Sequence, residues 1–532
     1  MASNTDASGS RRLLLIAAGL IVVVVVAITA LVLTTRGDDS GPGDDAVAPV
    51  GEVVDPTPAD TATAAANWVV EENSHPGADG WDSVNASPSG ISGYLDRTST
   101  QRGESMKLYA STKAPTFVVE AFRIGYYGGK GARSVWRSPE IAGIVQPEPA
   151  RDPATNLIEA RWQETATIAV DDSWPPGMYL LKLQASDATS SFVPVVVRDD
   201  SSTAPLAVVS EVTTFQAYNT WGGCSLYTCP GIKGQKRAKI VSFDRPYGTG
   251  GGASDFVAFD APLVALVEEL GLDVSYWTNL DMEERPDAVL GAGRTAIVSL
   301  GHDEYYSRPM RDLLVRARDT GINLAILGAN AIYRKIRWEP SWDGRPNRRM
   351  VNYRDTSDPI NKTDPSETTV QWRSPPLSAP EAEIVGIQYE CAPMQADIKI
   401  VDPTAWVFEN TGVTAATVLE GILGEEYDRW FPDSPDNLQI LAHSPVKCGG
   451  KSSFGDMSYW STPSGGGVFA TGTIRWTCAL ADACGPKAPV SAEDSAVVKA
   501  VTSNVLREFS TPKAGERHPS QPTASQYWPQ AR

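Results

Sequence analysis

Residues 295–333 contain a strand–helix–strand pattern that constrains the fold more than any other segment. They read TAIVSL, GHDEYYS, RPMRDLLVRARDTG and INLAILGANAIY. The first and last of these segments contain short apolar runs typical of strands that are buried on both faces. Ser307 is placed to cap the helix, Pro309 is tolerated in its first turn, and Gly321 suits its end. Such a compact unit requires parallel strands joined by a right-handed crossover.

From Ala204 onward the sequence alternates between strand-like and helix-like segments. The strand candidates include LAVVS, LDVSYW, TAIVSL, NLAILG and GVFATGT, and the helix candidates are APLVALVEELG and RPMRDLLVRARDTG. This alternation predicts a three-layer α/β domain with a mainly parallel sheet over residues 204–510. We expect the loop-rich stretch from Trp338 to about Gly467 to be an insertion, or an elaborated half of the domain, that covers the carboxyl edge of the sheet. Residues 511–532 are expected to form a C-terminal tail.

Residues 67–200 show a different pattern, in which short strands are separated by turn residues. The strand candidates are SMKLYAST, FVVEAFRIG, MYLLKLQAS and SFVPVVVR, and no helix-period stretch lies between them. Turn signals such as Pro175-Pro176-Gly177 separate the strands. The pattern predicts an all-β sandwich of the immunoglobulin-like type.

The N-terminal region contains an uncharged apolar run of 21 residues, LLLIAAGLIVVVVVAITALVL. At about 1.5 Å per residue, this run is long enough to cross a bilayer core of about 30 Å. We therefore predict a transmembrane helix over residues 13–35, with residues 1–12 in the cytoplasm because two arginines precede the run. A cleaved signal peptide is the alternative, which the length of the run disfavours. Residues 37–66, rich in Gly, Pro and Asp, are predicted to be a disordered linker.

These features predict a single-pass cell-membrane protein whose bulk is extracytoplasmic, with the membrane as a partner through the N-terminal helix. The net charge of −18 argues against nucleic acid as a partner. The same charge offers no polybasic surface for anionic lipid. The sequence carries no signal of oligomeric state.

Six cysteines follow the apolar run, an even number that fits disulfides formed in an oxidising compartment. Two pairs are close neighbours in the sequence, and the third pair follows by elimination. The predicted disulfides are Cys224–Cys229, Cys478–Cys484 and Cys391–Cys448. Zinc is not expected, because the sequence contains no CxxC pair.

Polar side chains follow several of the predicted strands, in loops 213–223, 279–284, 301–307 and 328–334. Parallel sheets bind ligands at the carboxyl ends of their strands, so these loops predict a polar small-molecule site. We expect His302 and Asp303 to move protons there. The candidate substrate-binding residues are Tyr218, Asn219 and Asn330. The structural alternative is that each of these residues only packs, forms a turn or caps the adjacent helix.

The sequence contains no GxSxG nucleophile elbow and no HExxH motif. The remaining alternatives are metal chemistry with oxygen ligands, or binding without catalysis. Phenolate and carboxylate oxygens are hard donors that suit a hard cation such as ferric iron acting as a Lewis acid.

An ordered series of longer segments resembles a known family. TFQAYNTWGGCSLY, VSFDRP, DVSYWTNLDME, LGHDEYYS, RDTGINLAILGANAIYRKIRW, GILGEEYDRW and GVFATGTIRW are similar to the C-terminal region of the N,N-dimethylformamidase large (beta) subunit. ISGYLDRTSTQRGESMKLYAST and FRIGYYGGKGAR resemble the β-domain that precedes that region. The resemblance covers about residues 67–507.

The resemblance implies a glutamine-amidotransferase-like α/β fold and, in the amidohydrolase itself, mononuclear iron held by two tyrosines and a glutamate. Tyr305 matches the tyrosine of the family's GHDEY loop. Glu426, in GEEYD, and Glu390, in GIQYE, are both counterparts for the glutamate. The second tyrosine is expected at the start of a helix, but the corresponding segment of this chain, FDAPLVALVEE, contains no tyrosine. The second tyrosine is therefore open between Tyr276 and Tyr218, and a metal-free site is the third alternative.

The sequence thus predicts a membrane-anchored protein that resembles N,N-dimethylformamidase and hydrolyses carbon–nitrogen amide bonds of a small molecule with a bound metal. The alternative is a non-catalytic module on the same fold that binds a component of the cell envelope. Iron content of the purified protein distinguishes the two.

Overall fold

A computed structural model describes residues 67–529, except 231, 235, 482 and 486–488. The described chain begins with helix α1 (Trp68–Glu72) and continues into a sandwich of two sheets. The strands of this first part are β1 (Ser92–Leu95), β2 (Ser99–Gln101), β3 (Ser105–Ser111), β4 (Thr116–Ile124), β5 (Ala132–Arg137), β6 (Ile141–Ala142), β7 (Ala150–Arg151), β8 (Ile158–Glu159), β9 (Ala166–Ala169), β10 (Gly177–Ala185) and β11 (Ser190–Arg198).

The sandwich forms because its strands alternate between buried and exposed side chains. In β3, Met106, Leu108 and Ala110 are buried, while Ser105 and Lys107 are exposed. One sheet has the strand order β1-β3-β9, and the other has the order β2-β11-β10-β4-β5 with β6 beside β4. The buried side chains of β3, β4, β10 and β11 form one apolar cluster between the sheets. The period of two in the sequence therefore produces the core of this part.

The second part is built around a seven-stranded sheet with the order β14-β12-β15-β17-β25-β24-β23, in which the first five strands are parallel and the last two pair antiparallel. Every residue of β12, β15 and β17 is buried, as expected for parallel strands covered on both faces. The strands of this part are β12 (Leu206–Ser210), β13 (Ile240–Ser242), β14 (Val274–Thr278), β15 (Ala296–Gly301), β16 (Tyr305–Tyr306), β17 (Asn323–Gly328), β18 (Arg334–Lys335), β19 (Arg337–Glu339), β20 (Arg349–Val351), β21 (Gln388–Lys399), β22 (Val418–Arg429), β23 (Gln439–Cys448), β24 (Lys451–Ser461) and β25 (Gly467–Ala470).

Helices cover both faces of the seven-stranded sheet. The helices after α1 are α2 (Val212–Tyr218), α3 (Phe256–Glu269), α4 (Asn279–Glu284), α5 (Pro286–Val289), α6 (Arg308–Asp319), α7 (Ala382–Val385), α8 (Ala492–Phe509), α9 (Ala514–Arg517) and α10 (Ala524–Tyr527). Short 3-10 turns lie at Tyr127–Gly129, Trp221–Gly223, Gly250–Gly252, Pro359–Lys362, Pro365–Glu367, Trp406–Phe408, Ile474–Trp476 and Cys478–Ala481. Helices α3 and α8 pack in the apolar cluster on one face, and α6 packs in the cluster on the other. The predicted cap of α6 is confirmed, since the Ser307 hydroxyl accepts from the Met310 N–H at 3.3 Å.

The predicted fold class is wrong in two respects, and the first concerns the content of β structure. Residues 338–467 were expected to be rich in loops, but residues 388–461 of this stretch contain the long antiparallel hairpins β21–β22 and β23–β24. Together with the other small sheets, these hairpins make the described part mostly β-sheet. The pairing of β21 with β22 contains three register shifts. These shifts interrupt the alternation of buried and exposed residues by which a strand is recognised in a sequence.

The second correction concerns the membrane. No helix in the described part of the chain is long and apolar enough to cross a bilayer. The longest of them, α8, has 18 residues and carries Glu493, Asp494 and Lys499. The predicted transmembrane helix over 13–35 lies outside the described residues, as do the predicted cytoplasmic segment and linker. The expectation of a single-pass protein of the cell membrane is therefore not supported.

All three predicted disulfides form. The Cα atoms of Cys224 and Cys229 lie 4.2 Å apart, and those of Cys478 and Cys484 lie 4.9 Å apart. The bridge from Cys391 to Cys448, with 6.3 Å between Cα atoms, joins β21 to β23. These separations lie within the limit of about 7 Å for a disulfide.

A buried ion pair joins the sandwich to the α/β part. Arg123 on β4 donates from Nη1 and Nη2 to the carboxylate of Glu268 on α3, at 2.9 and 2.7 Å. Neither side chain is exposed. Tyr276 and Asn73 also donate to this carboxylate, at 2.7 and 2.8 Å. The sandwich and the α/β part are therefore held together, and both belong to one compact unit.

Three buried carboxyl groups lie behind the carboxyl edge of the seven-stranded sheet. Glu211 follows β12, Asp260 lies on α3 and Asp303 follows β15, and all three are at most 1% exposed. Burial raises the pKa of Asp260 to about 8 and that of Asp303 to about 6. Burial also raises the pKa of Glu211 well above its ordinary value. Asp260 therefore keeps its proton at neutral pH.

We predict that Glu268→Gln destabilises the protein by about 3–5 kcal/mol, because the buried Arg123 then loses the carboxylate to which it donates two hydrogen bonds. Glu269→Gln is the matched control. It removes a pair with Lys499 in which the side chains are 31% and 45% exposed, and should cost about 0–1 kcal/mol. Chemical denaturation measures both losses. Equal losses in the two variants would contradict the role of the buried pair.

We also predict that the contribution of Asp260 to the free energy of unfolding falls as the pH rises. The pKa of Asp260 is raised from 3.8 to about 8 on folding. Its stabilising contribution is therefore complete below about pH 4 and is lost as the pH rises through about 8. Asp260→Asn should remove the contribution of this residue to the change of the unfolding free energy with pH, which is at most about 1.4 kcal/mol per pH unit. Asp287→Asn, at a side chain that is 91% exposed, should leave the slope unchanged. Urea unfolding across this pH range measures the slope, and an unaltered slope in Asp260→Asn would refute the assignment.

Candidate functional site

The loops after three adjacent parallel strands form the candidate site. Residues 302–304 follow β15, Tyr218 ends the helix that follows β12, and Asn330 follows β17. Strands β12, β15 and β17 are neighbours in the sheet. Their carboxyl ends share one edge, so the side chains that follow them converge there.

Glu304 lies at the bottom of this site and is 1% exposed. Its Oε2 accepts hydrogen bonds from the hydroxyl of Tyr218 at 3.2 Å and from that of Tyr227 at 2.5 Å. Its Oε1 accepts from Arg334 Nε at 2.9 Å. Its backbone N–H donates to the hydroxyl of Thr214 at 3.0 Å. One buried carboxylate thus holds two phenols and a guanidinium group in place.

Tyr227 reaches the site on the short loop that the disulfide between Cys224 and Cys229 closes. The backbone of this loop is hydrogen-bonded to α2. The rings of Tyr227 and Tyr218 are stacked, with their centroids 4.0 Å apart. The disulfide and the stacking together direct both hydroxyls to the same oxygen of Glu304.

Tyr305 lies behind Tyr227. Its hydroxyl donates to the hydroxyl of Tyr227 at 2.9 Å and accepts from Arg354 Nη2 at 2.8 Å. The guanidinium carbon of Arg354 lies 3.9 Å from the centroid of the Tyr227 ring. Tyr305 is therefore separated from the Glu304 carboxylate by one further hydrogen bond.

A second carboxyl group, that of Glu426 on β22, faces Glu304 across His302. His302 Nε2 lies 3.5 Å from Oε2 of Glu304 and 3.5 Å from Oε2 of Glu426. Asn330 Nδ2 donates to Glu426 at 2.6 Å, and Asn330 Oδ1 is buried without a partner among the described residues. The side chains of His302 and Glu426 are 13% and 14% exposed. Solvent therefore reaches the site at His302 and Glu426, above Glu304.

Burial and the charge of Glu304 set the protonation states. They raise the pKa of Glu426 well above its ordinary value, which favours the protonated form of this carboxyl group. Burial lowers the pKa of His302, so its imidazole is neutral. Burial and the Glu304 charge also raise the pKa of Tyr218 and of Tyr227. A proton donor, a neutral base and a carboxylate therefore lie side by side.

Four residues named from the sequence lie away from this cluster. Asp303 points into the interior, where three neighbouring side chains donate to it. The side chain of Asn219 is bonded to the backbone of its own turn and of the adjacent loop. Glu390 forms an ion pair with Arg429 at 2.7 Å, and Tyr276 lies at the junction with the sandwich. In the described contacts, none of these four side chains reaches the carboxylate of Glu304.

The sequence reasoning missed Tyr227, Arg334 and Arg354, and it assigned no role to Glu304. Tyr227 had a detectable signal, because it lies between two cysteines that are five residues apart and form a disulfide. A short disulfide loop restricts the position of the side chain that it carries. Glu304 belongs to the loop already singled out after β15. Arg354 carried no such signal.

The cluster fits a hard cation. Two phenol oxygens and one carboxylate oxygen are hard donors, and both phenols converge on the same oxygen of Glu304. A cation bound there would displace the two phenol protons. No group of three or more His, Cys, Asp or Glu side chains in the described part could hold a metal ion. A metal at this edge therefore depends on Tyr218 and Tyr227.

Among solved structures, that of the cycloisomaltooligosaccharide glucanotransferase of Paenibacillus sp., complexed with cycloisomaltoheptaose, matches 51% of this chain and 36% of its own. The identity is 11% and the TM-score is 0.15, which is too low to support any inference. No curated protein matches the chain. A family model described as N,N-dimethylformamidase beta subunit-like, C-terminal, matches residues 118–488. This match confirms the resemblance that the sequence motifs carry, and the chain belongs to the N,N-dimethylformamidase beta subunit-like family.

Proposed function

We propose that this protein is a metal-dependent hydrolase of carbon–nitrogen amide bonds in small molecules. The observation that carries the proposal is the convergence of the Tyr218 and Tyr227 hydroxyls on one oxygen of Glu304. Membership of the family supports hydrolase chemistry at this site. The sequence motifs alone did not select these three residues.

Tyr218, Tyr227 and Glu304 would hold the metal. Tyr305, which the resemblance indicated as a ligand, bonds to the hydroxyl of Tyr227 instead of the carboxylate. Glu426, which the resemblance also indicated as a candidate ligand, faces the site across His302. When bound, a hard cation such as ferric iron would act as a Lewis acid on the carbonyl group of an amide.

The proton transfers fall to His302 and Glu426. The neutral imidazole of His302 takes a proton from a water molecule, whose oxygen forms a bond to the amide carbon. The protonated carboxyl of Glu426 gives its proton to the amide nitrogen as the carbon–nitrogen bond breaks. The proton on His302 then passes to Glu426 across their 3.5 Å contact. The products are a carboxylic acid and an amine, and both residues return to their initial states.

Asn330 would orient the substrate, as the sequence suggested. Its amide N–H group holds Glu426 in place at 2.6 Å. Its Oδ1 is buried and, within the described chain, accepts no hydrogen bond. A buried acceptor without a partner is unfavourable, so an N–H group of the substrate would stabilise it. Asp303 would position the loop from below.

We expect the purified protein to bind ferric iron stoichiometrically and to show a phenolate-to-iron absorption band. Tyr227→Phe should weaken the band and reduce affinity by at least about tenfold, the lower end of the effect of altering a metal site. Tyr109→Phe, at a half-buried tyrosine of β3, is the matched control and should change neither. Titration with iron, followed by absorbance, gives both values. Full iron binding in both Tyr227→Phe and Glu304→Gln would refute the ligand assignment.

His302→Gln and Glu426→Gln should each lower kcat for amide hydrolysis by about 10²–10⁴-fold, the usual contribution of a general acid or base. Their iron content should remain that of the unaltered protein. Glu420→Gln, at an exposed carboxylate on the same strand as Glu426, is the matched control. Rates on a panel of small amides measure the effect. A folded protein that binds iron and hydrolyses none of them would favour binding without catalysis.

A further inference from the structure

No ion pair to a carboxylate is formed by Arg354 within the described chain. It lies on the loop after β20, and its Nη2 donates to the hydroxyl of Tyr305 at 2.8 Å. Its guanidinium carbon lies 3.9 Å from the centroid of the Tyr227 ring. Its Nε is buried and has no acceptor among the described residues. The protein thus uses only part of the hydrogen-bonding capacity of this side chain.

Other arginines around the site are paired with carboxylates. The pairs are Arg334–Glu304, Arg373–Glu381 and Arg429–Glu390. Arg354 differs from them although the protein has a net charge of −18 and many carboxylates. A half-buried guanidinium group without a counter-ion is unfavourable. A ligand with a negative charge would remove this cost.

The backbone holds Arg354 in a conformation that disfavours a side chain of its kind. Its φ is +67°, in the left-handed region. Its N–H donates to the carbonyl of Thr369 at 2.8 Å, and the N–H of Tyr353 donates to the Thr369 hydroxyl at 2.8 Å. These bonds keep the strained residue in place. Strain of this type is concentrated at ligand-binding positions.

We propose that Arg354 binds a carboxylate group of the substrate, and that the substrates are amides with a carboxylate close to the bond that is cleaved, such as N-acyl amino acids. This inference rests on the proposed function of the same site. Tyr227 connects the Glu304 carboxylate with the guanidinium group of Arg354. Its hydroxyl contacts Glu304, and its ring lies beneath Arg354. The two positions are therefore about one aromatic ring apart, a distance that one amino-acid residue can span. A planar guanidinium group is the side chain best suited to a carboxylate.

The test compares N-acetylglycine with N-acetylglycinamide, which replaces the carboxylate by a neutral carboxamide. Isothermal titration calorimetry of the whole protein should show about tenfold to a hundredfold tighter binding of N-acetylglycine, as for hydrogen bonds to a charged group. Arg354→Met should weaken the binding of N-acetylglycine to the level of the carboxamide and leave carboxamide binding unchanged. Arg354→Lys keeps the charge without the planar fork and should keep part of the preference.

Arg316→Met is the matched control, because it removes an equal charge from α6, where the Arg316 side chain is 48% exposed. It should leave both affinities unchanged. Circular dichroism and the melting temperature establish that each variant is folded, and Arg354→Lys decides the outcome if Arg354→Met does not fold. Equal affinity of the unaltered protein for the two compounds would overturn the inference. A preference that survives intact in the Arg354 variants would also overturn it.

This inference and the proposed function can fail independently. A preference that is lost in Arg354→Met, without hydrolysis of either compound, would support carboxylate recognition and refute the hydrolase. Hydrolysis of both compounds at equal kcat/KM, without a binding preference, would support the hydrolase and refute carboxylate recognition.

Discussion

The candidate site depends on the burial of one carboxylate, that of Glu304. A charged group that is 1% exposed is stable only when the protein supplies compensating hydrogen bonds and an opposite charge. Tyr218, Tyr227 and Arg334 supply them from three separate segments of the chain. Glu304 therefore restricts where α2, the disulfide loop and the residues after β17 can lie.

The long hairpins and the sandwich add contacts to the part of the structure that is built on the parallel sheet. Strand β22 brings Glu426 to the edge of the sheet, where its carboxyl group faces that of Glu304 across His302. The disulfide between β21 and β23 joins the two hairpins. The ion pair between Arg123 and Glu268 joins the sandwich to α3. The family match begins at residue 118, inside β4, which agrees with a sandwich that is part of the same structural unit.

The site combines groups of opposite electrostatic character within a small volume. Burial and the charge of Glu304 raise the pKa of the facing Glu426 carboxyl well above its ordinary value. On the other side of Tyr227, Arg354 keeps a positive charge without a carboxylate partner in the described chain. The phenols of Tyr218 and Tyr227 lie between these regions. This arrangement suits a polar ligand with an amide at one end and a negative charge at the other.

The sequence by itself determined the features that depend on short stretches of chain. The strand–helix–strand unit, the cap at Ser307 and the two short disulfides are local, so residue pattern and spacing are sufficient to predict them, and the motifs identified the family. The sequence also indicated His302 as a site residue, because its loop directly follows a predicted buried strand. Only the tertiary structure decided which side chains meet at Glu304, since Tyr227, Arg334 and Glu426 come from distant segments and are brought together by burial. The tertiary structure also decided that residues 388–461 contain long hairpins. Register shifts in these strands interrupt the alternation of buried and exposed residues, so the sequence does not reveal them. The position of Arg354 beside Tyr305 is likewise set by packing, which no local pattern encodes.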